Sequence, residues 1–124
     1  MKAKPDLVIL ELGANDMLRG QPPATAKANL DAMIKAFQGG GARVLLAGMR
    51  ASPNLGATYM RAFDGMYPAL AKTNNVALYP FFMDGVAAVP GTQLADGMHP
   101  NPRGVTIIVQ RILPTVEREL GKLK

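Results

Sequence analysis

Apolar residues along this chain fall into two patterns, short unbroken runs and helical stripes, and the two alternate. Leu7-Val8-Ile9-Leu10 is an unbroken run, with Leu12 just beyond it. A strand wetted on one face alternates apolar and polar residues, so this run predicts a strand covered on both faces, as in a parallel sheet. Val44-Leu45-Leu46-Ala47 repeats the signature, and Val76 to Tyr79 predicts a short third strand. Between the first two runs, Leu30, Met33, Ile34 and Phe37 recur at i, i+3, i+4 and i+7, the spacing of a helix with one buried face. Gly39 is placed to stop that helix in the left-handed conformation. Tyr59, Phe63, Met66, Tyr67 and Leu70 form a second stripe, with a bend expected at Pro68 and an end at Asn74-Asn75. The last helix is the most clearly signalled. Asn101 suits the N-cap and Pro102 the first helical position. Val105, Ile108, Val109, Ile112, Leu113, Val116 and Leu120 make its expected apolar face, and Pro114 is expected to kink it.

The order strand, helix, strand, helix, strand, helix predicts an α/β fold with a parallel sheet and right-handed crossovers. Gly39-Gly40-Gly41 reads as a turn rather than a linker, because periodic segments flank it closely. The 124 residues therefore make a single domain, 1–124. In such sheets, functional residues stand on loops beyond the carboxyl ends of the strands. Here those loops are the polar stretch from Gly13 to Pro23, the segment after Ala47, and the region from Pro80 to about Pro100.

Composition narrows the classes. With 48% hydrophobic and 19% charged residues, the chain suits a packed domain rather than a disordered one. Its apolar runs are far shorter than the ~18–20 residues that span a bilayer. Met1-Lys2-Ala3-Lys4 is followed by Pro5-Asp6 and not by the apolar core of a secretory signal. The absence of cysteine excludes disulfides, thiolate metal sites and a cysteine nucleophile. Fourteen basic against nine acidic residues give a net charge of +5, but the Lys and Arg positions are scattered and aromatics are only 6%. That predicts a solvated basic surface and no nucleic-acid partner.

Two polar clusters stand on the loops. Gly13-Ala14-Asn15-Asp16 directly follows the first strand: Gly13 allows a sharp turn, Asn15 offers a carboxamide donor and Asp16 a carboxylate. Gly, Asn and Asp also form ordinary turns. Asp96-Gly97-Met98-His99-Pro100-Asn101 precedes the last helix and holds the only histidine. One local turn brings Asp96 to His99, and a carboxylate on one ring nitrogen leaves the other free as a general base. A capped turn with a surface histidine is the plainer reading. One histidine without cysteine does not build an ordinary zinc site, so no metal is expected.

Together the clusters resemble the SGNH hydrolases, the GDSL-type serine esterases and lipases, and within them the bacterial arylesterase, acyl-CoA thioesterase and lysophospholipase branch. Gly13-Ala14-Asn15-Asp16 is similar to that family's third block and Asp96-Gly97-Met98-His99-Pro100 to its fifth. Leu10-Glu11-Leu12, Leu18-Arg19-Gly20, Tyr67-Pro68-Ala69-Leu70-Ala71 and Pro80-Phe81-Phe82-Met83 match the surroundings, so the resemblance covers nearly the whole chain. It implies a partial flavodoxin-like α/β/α fold with three strands and three main helices. It implies His99 as general base, Asp96 as its orienter and Asn15 as oxyanion-hole donor, with Gly13, Asp16, Leu18, Ser52 and Pro53 bordering the substrate. The substrate would be a small ester or thioester, and no cofactor is implied. Family members are often periplasmic or secreted in bacteria.

The departure is as informative. The family's Gly-Asp-Ser nucleophile block and its oxyanion-hole glycine block have no counterpart here. The only serine is Ser52, in Arg50-Ala51-Ser52-Pro53-Asn54, which suits a turn before proline better than a nucleophile. The resemblance thus points to the C-terminal part of an esterase, inactive alone. The family sheet runs 2-1-3-4-5, so strand 7–12 is expected at an unnatural edge, open to self-association or to a missing N-terminal half. Two other readings stand beside this one: a non-catalytic module that folds with a complementary chain, and another flavodoxin-like domain such as a receiver. The second lacks a clustered acidic site and a phosphate loop.

Overall fold

A computed structural model describes residues 4–12, 21–51, 55–87, 89–95 and 99–123. Three strand–helix units follow one another: β1 (Leu7–Leu10), α1 (Pro23–Gly39), β2 (Arg43–Ala47), α2 (Ala57–Asn74), β3 (Ala77–Tyr79) and α3 (Pro102–Gly121). The strands form one parallel sheet in the order β1-β2-β3, with Ile9 opposite Leu45 and Leu46 opposite Leu78. Parallel neighbours need a crossover, and each crossover here is a helix.

One face of the sheet is closed. Leu10, Val44 and Leu46 pack against Ala26, Leu30 and Ile34 of α1 and against Phe63, Met66, Tyr67 and Leu70 of α2. Phe63 stacks on Tyr59 with ring centroids 6.2 Å apart and meets Tyr67 edge-on at 5.6 Å. Leu45 and Ala47 alternate to the other face, where α3 lies over β2 and β3 and buries Ile108 and Ile112. Glu119 of α3 is only 2% exposed. Its carboxylate accepts from Arg43 Nε at 2.8 Å and from Lys122 Nζ at 2.9 Å, which fastens α3 to the start of β2.

The structure departs from the sequence expectations in four places. Val105, Val109, Leu113 and Leu120, expected on the buried face of α3, are 45–50% exposed. The reason is placement. The opposite flank, Ile107 and Arg111, lies against Gly85 in the loop after β3, and this flank stays about half exposed. Met33, at the margin of the α1 stripe, is 37% exposed. The left-handed residue after α1 is Gly41 (φ 90°) and not Gly39, which is the last helical residue. The third strand starts at Ala77, because the Val76 N–H is spent on the Ala71 carbonyl in closing α2. Asn75 ends α2 in the left-handed conformation, as its position suggested, and the helix runs on through Pro68. No helix among the described residues is long and apolar enough to cross a membrane.

Candidate active site

Because the strands are parallel, their carboxyl ends share one edge of the sheet, and all three connecting loops start from it. His99 belongs to the third loop and is the candidate residue whose placement is described. It is solvent-exposed and stands three residues before Pro102, the first residue of α3. Gly13, Asn15, Asp16 and Leu18 in the first loop, Ser52 and Pro53 in the second, and Asp96 in the third lie outside the described residues. The expected Asp96–His99 contact therefore lies outside them too.

The backbone around His99 is knitted into a platform. The His99 carbonyl accepts the Leu94 N–H at 2.8 Å, and Gln93 and Pro100 form an antiparallel bridge. Asn101 donates its backbone N–H to Thr92 O at 3.0 Å and its side-chain amide to Gly91 O at 3.0 Å. The same side chain accepts Gly104 N–H at 2.9 Å, the N-cap that the sequence pattern announced. Thr92 Oγ1 and Gln93 Nε2 reach the Val86 carbonyl at 3.1 and 2.9 Å. Gly104 is required at this junction: a Cβ there would collide with the Thr92 carbonyl oxygen. One set of bonds thus fixes the His99 backbone to the first turn of α3.

The other two loops are held from below by α2. Tyr67 donates its hydroxyl to Leu12 O at 2.8 Å, and Tyr59 donates to Gln21 O at 2.6 Å. Leu12 and Gln21 bracket the segment that carries Asn15, so both ends of that loop are tied to one helix, two turns apart. Asp64, between the two tyrosines, accepts the Ala51 N–H at 2.6 Å, just before Ser52. Arg50 places its guanidinium 4.4 Å from the Phe81 ring centre, linking the second loop to the third. These positioning residues escaped the sequence reading, which counted Tyr59 and Tyr67 only as apolar stripe members. Their hydroxyls were the available signal, since a buried tyrosine hydroxyl needs a partner.

Glu11 lies just past β1 at the same edge. It is half-buried, and burial pushes its carboxyl above the ordinary glutamate range. A cavity of about 290 Å³ lies at the other end of the sheet, between the starts of β2 and β3, lined by Arg43, Asn75 and Lys122 among others. The carboxyl ends of all three helices lie at that end, where Arg43 and Lys122 are paired with the Glu119 carboxylate. Among the described residues no cluster of three or more His, Asp or Glu could hold a metal ion.

Comparison with known proteins gives a consistent likeness. Residues 1–107 match the model of the GDSL-like Lipase/Acylhydrolase family. Esterase TesA of Pseudomonas aeruginosa is 42% identical over 114 residues, which is 92% of this chain and 57% of that protein. An arylesterase of Vibrio mimicus is 40% identical over 116 residues, 94% of this chain and 58% of that protein. Among solved structures, the crystal structure of TesA superposes with a TM-score of 0.89 at 41% identity, covering 95% of this chain and 66% of that one. The chain thus spans somewhat over half the length of the curated relatives it matches.

Proposed function

This chain belongs to the GDSL-like lipase/acylhydrolase family, and from that premise we propose that it supplies one side of the active site of a serine ester hydrolase. Residues 1–124 would form a single partial domain carrying the base, its orienter and one oxyanion donor. The nucleophilic serine would come from a different segment. His99 takes the proton of that serine hydroxyl as its oxygen attacks the carbonyl carbon of an ester or thioester. Asp96 holds the imidazole in the productive tautomer. Asn15 donates its side-chain amide to the oxyanion as it forms, an interaction typically worth about 10²–10³ in rate. The alcohol or thiol leaves with the proton from His99, and water then releases the acid by the same route. Gly13, Asp16, Leu18, Ser52 and Pro53 would border the substrate, and the reaction draws on no metal or organic cofactor.

The observation that carries this reading is the footing of His99. It stands at the carboxyl edge of the sheet on a backbone tied to the α3 cap, while Tyr59 and Tyr67 hold both ends of the Asn15 loop at that edge. The single serine favours assigning the nucleophile elsewhere, since Ser52 precedes Pro53 in a turn context. It is also what favours the second reading, a non-catalytic module that folds with a complementary chain. The test is p-nitrophenyl ester hydrolysis by the chain alone and by the chain mixed with a segment bearing a Gly-Asp-Ser block. The expected result is negligible turnover alone and turnover in the mixture that is lost in His99→Ala and kept in Ser52→Ala. Turnover by the chain alone that disappears in Ser52→Ala overturns the assignment.

A further inference from the structure

The platform under His99 also fixes the residue beside it. Gln93 and Pro100 face each other in the antiparallel bridge. The next pair along is therefore Leu94 and His99, joined by the Leu94 N–H on the His99 carbonyl at 2.8 Å. Residues directly opposite in an antiparallel pair put their side chains on one face, with Cβ atoms about 4.5–5.5 Å apart. The Leu94 side chain thus stands next to the imidazole, and it is 50% exposed. A single exposed leucine needs no explanation on most of a surface. This one flanks the only histidine of the chain, on a backbone pinned from both sides. Gln93 Nε2 donates to Val86 O, and Asn101 donates its backbone N–H to Thr92 O and its side-chain amide to Gly91 O.

Which part of a substrate meets this leucine follows from the proton. In the proposed reaction His99 hands its proton to the departing alcohol or thiol, so that atom comes within about 2.6–3.2 Å of the imidazole. The group bonded to it then extends past the ring and over the side chain opposite. The bonds at a tetrahedral carbon diverge, so the acyl chain leaves the reacting centre in another direction. The wall that the leaving group meets carries no charge: from Gly85 to Ala95 the chain has no Asp, Glu, Lys or Arg. Two cations stand farther along the same edge. Arg103 is exposed in the first turn of α3, and Arg50 lies on the Phe81 ring. They make a charged leaving group the rival to be tested.

We propose that Leu94 is a specificity-determining residue for the leaving group. Its exposed side chain forms an apolar wall beside His99 that favours esters of uncharged, apolar alcohols over esters whose alcohol carries a charge. The selectivity rests on the ester-hydrolase reading, whereas the contact between Leu94 and an apolar alcohol rests on the bridge geometry alone.

The experiment has two arms. In the first, the full chain alone is titrated with phenol, an uncharged alcohol, and followed by NMR of the Leu94 methyl groups and the His99 ring. Both should shift along one binding curve. Leu94→Ala should weaken that binding about three- to tenfold, less than an enclosed pocket loses because half of the side chain faces solvent. In the second, the mixture with a segment bearing a Gly-Asp-Ser block is given p-nitrophenyl acetate and the analogue with a carboxylate on the phenyl ring. Leu94→Ala should lower kcat/KM for the uncharged ester about three- to tenfold and leave the charged one nearly unchanged. Leu94→Lys should shift the preference toward the charged ester. The order of preference among p-nitrophenyl acetate, butyrate and octanoate, which reads the acyl side, should stay the same in Leu94→Ala. Circular dichroism and melting check that each variant folds. No joint shift with phenol, an unchanged leaving-group preference in Leu94→Ala, or a changed acyl preference each overturns the proposal. A parent that prefers the charged ester overturns it too and moves the selectivity to Arg103 or Arg50. Phenol binding as described, in a mixture that hydrolyses no ester, upholds the contact and overturns the ester-hydrolase reading instead.

Discussion

The two faces of this small sheet are built to different degrees of completion. On the α1–α2 face, Leu10, Val44 and Leu46 vanish under two helices, and Phe63 and Ile34 have no exposed surface. On the α3 face a single helix covers two strands, and four of the seven apolar residues of its stripe stay about half exposed. The same kind of pattern, apolar residues at helical spacing, has produced a core in one place and an unfilled surface in the other. The spacing records which face of a helix wants cover, while the number of neighbouring layers decides whether it gets it.

Substitutions that shrink a side chain should expose the contrast most strongly. Phe63→Ala opens a cavity in the closed face and should lower unfolding stability by about 3–5 kcal/mol. Val109→Ala on the open flank should change it by no more than about 0.5 kcal/mol. Urea denaturation of the two variants against the parent decides the matter, and equal losses would mean that the α3 flank is packed after all.

The next effect is smaller and depends on pH. Burial pushes the Glu119 carboxyl up, but the Lys122 and Arg43 hydrogen bonds more than offset it and hold the group below its ordinary value of 4.5. A carboxylate with a depressed folded-state value contributes stability above its unfolded value and loses it as pH falls through the folded one. Glu119→Gln should therefore cost about 1–3 kcal/mol at neutral pH. The gap between variant and parent should close as pH drops below about 4.5. Thermal melts between pH 7 and 3 test this, and a gap that does not change with pH would dismiss the charged bonds as its source.

Glu11 should give the smallest effect, with the opposite sign. Burial alone raises its value, so the folded state resists ionisation, and stability falls as pH rises from the unfolded glutamate value through the raised one. Glu11→Gln should then stabilise the chain at neutral pH, by at most about 0.5 kcal/mol since half of the group is screened by solvent. Above the raised value the benefit should be constant, and below the unfolded one it should vanish. A destabilised Gln variant at pH 7 would show that Glu11 has a partner.

Much of the architecture was legible beforehand for a physical reason. Unbroken apolar runs and helical stripes are local signals, and they placed all three strands and three helices to within a residue or two at most boundaries, as did Asn101 and Pro102 at the start of α3. What escaped is non-local. Nothing near Glu119 in the sequence announces that a charged residue will be buried, because Arg43 lies 76 positions away. Tyr59, Asp64 and Tyr67 carry ordinary helix spacing, and only the fold reveals that they hold loop backbones. At the candidate site, His99 stands at the end of the third loop, while Asn15 and Asp96 lie outside the described residues.

All three strand–helix units run in the same sense, and this has an electrical consequence. Pro23, Ala57 and Pro102 begin their helices at the carboxyl edge of the sheet, and Gly39, Asn74 and Gly121 end them at the other. Peptide dipoles add along each helix to roughly half a positive charge at its start and half a negative charge at its finish. The domain is therefore polarised from end to end. The loop-bearing edge carries three positive poles, a setting that lowers the energy of any negative charge that forms there, while the opposite edge carries three negative poles, with Lys72 and Arg118 in the last turns of α2 and α3 placed to offset theirs.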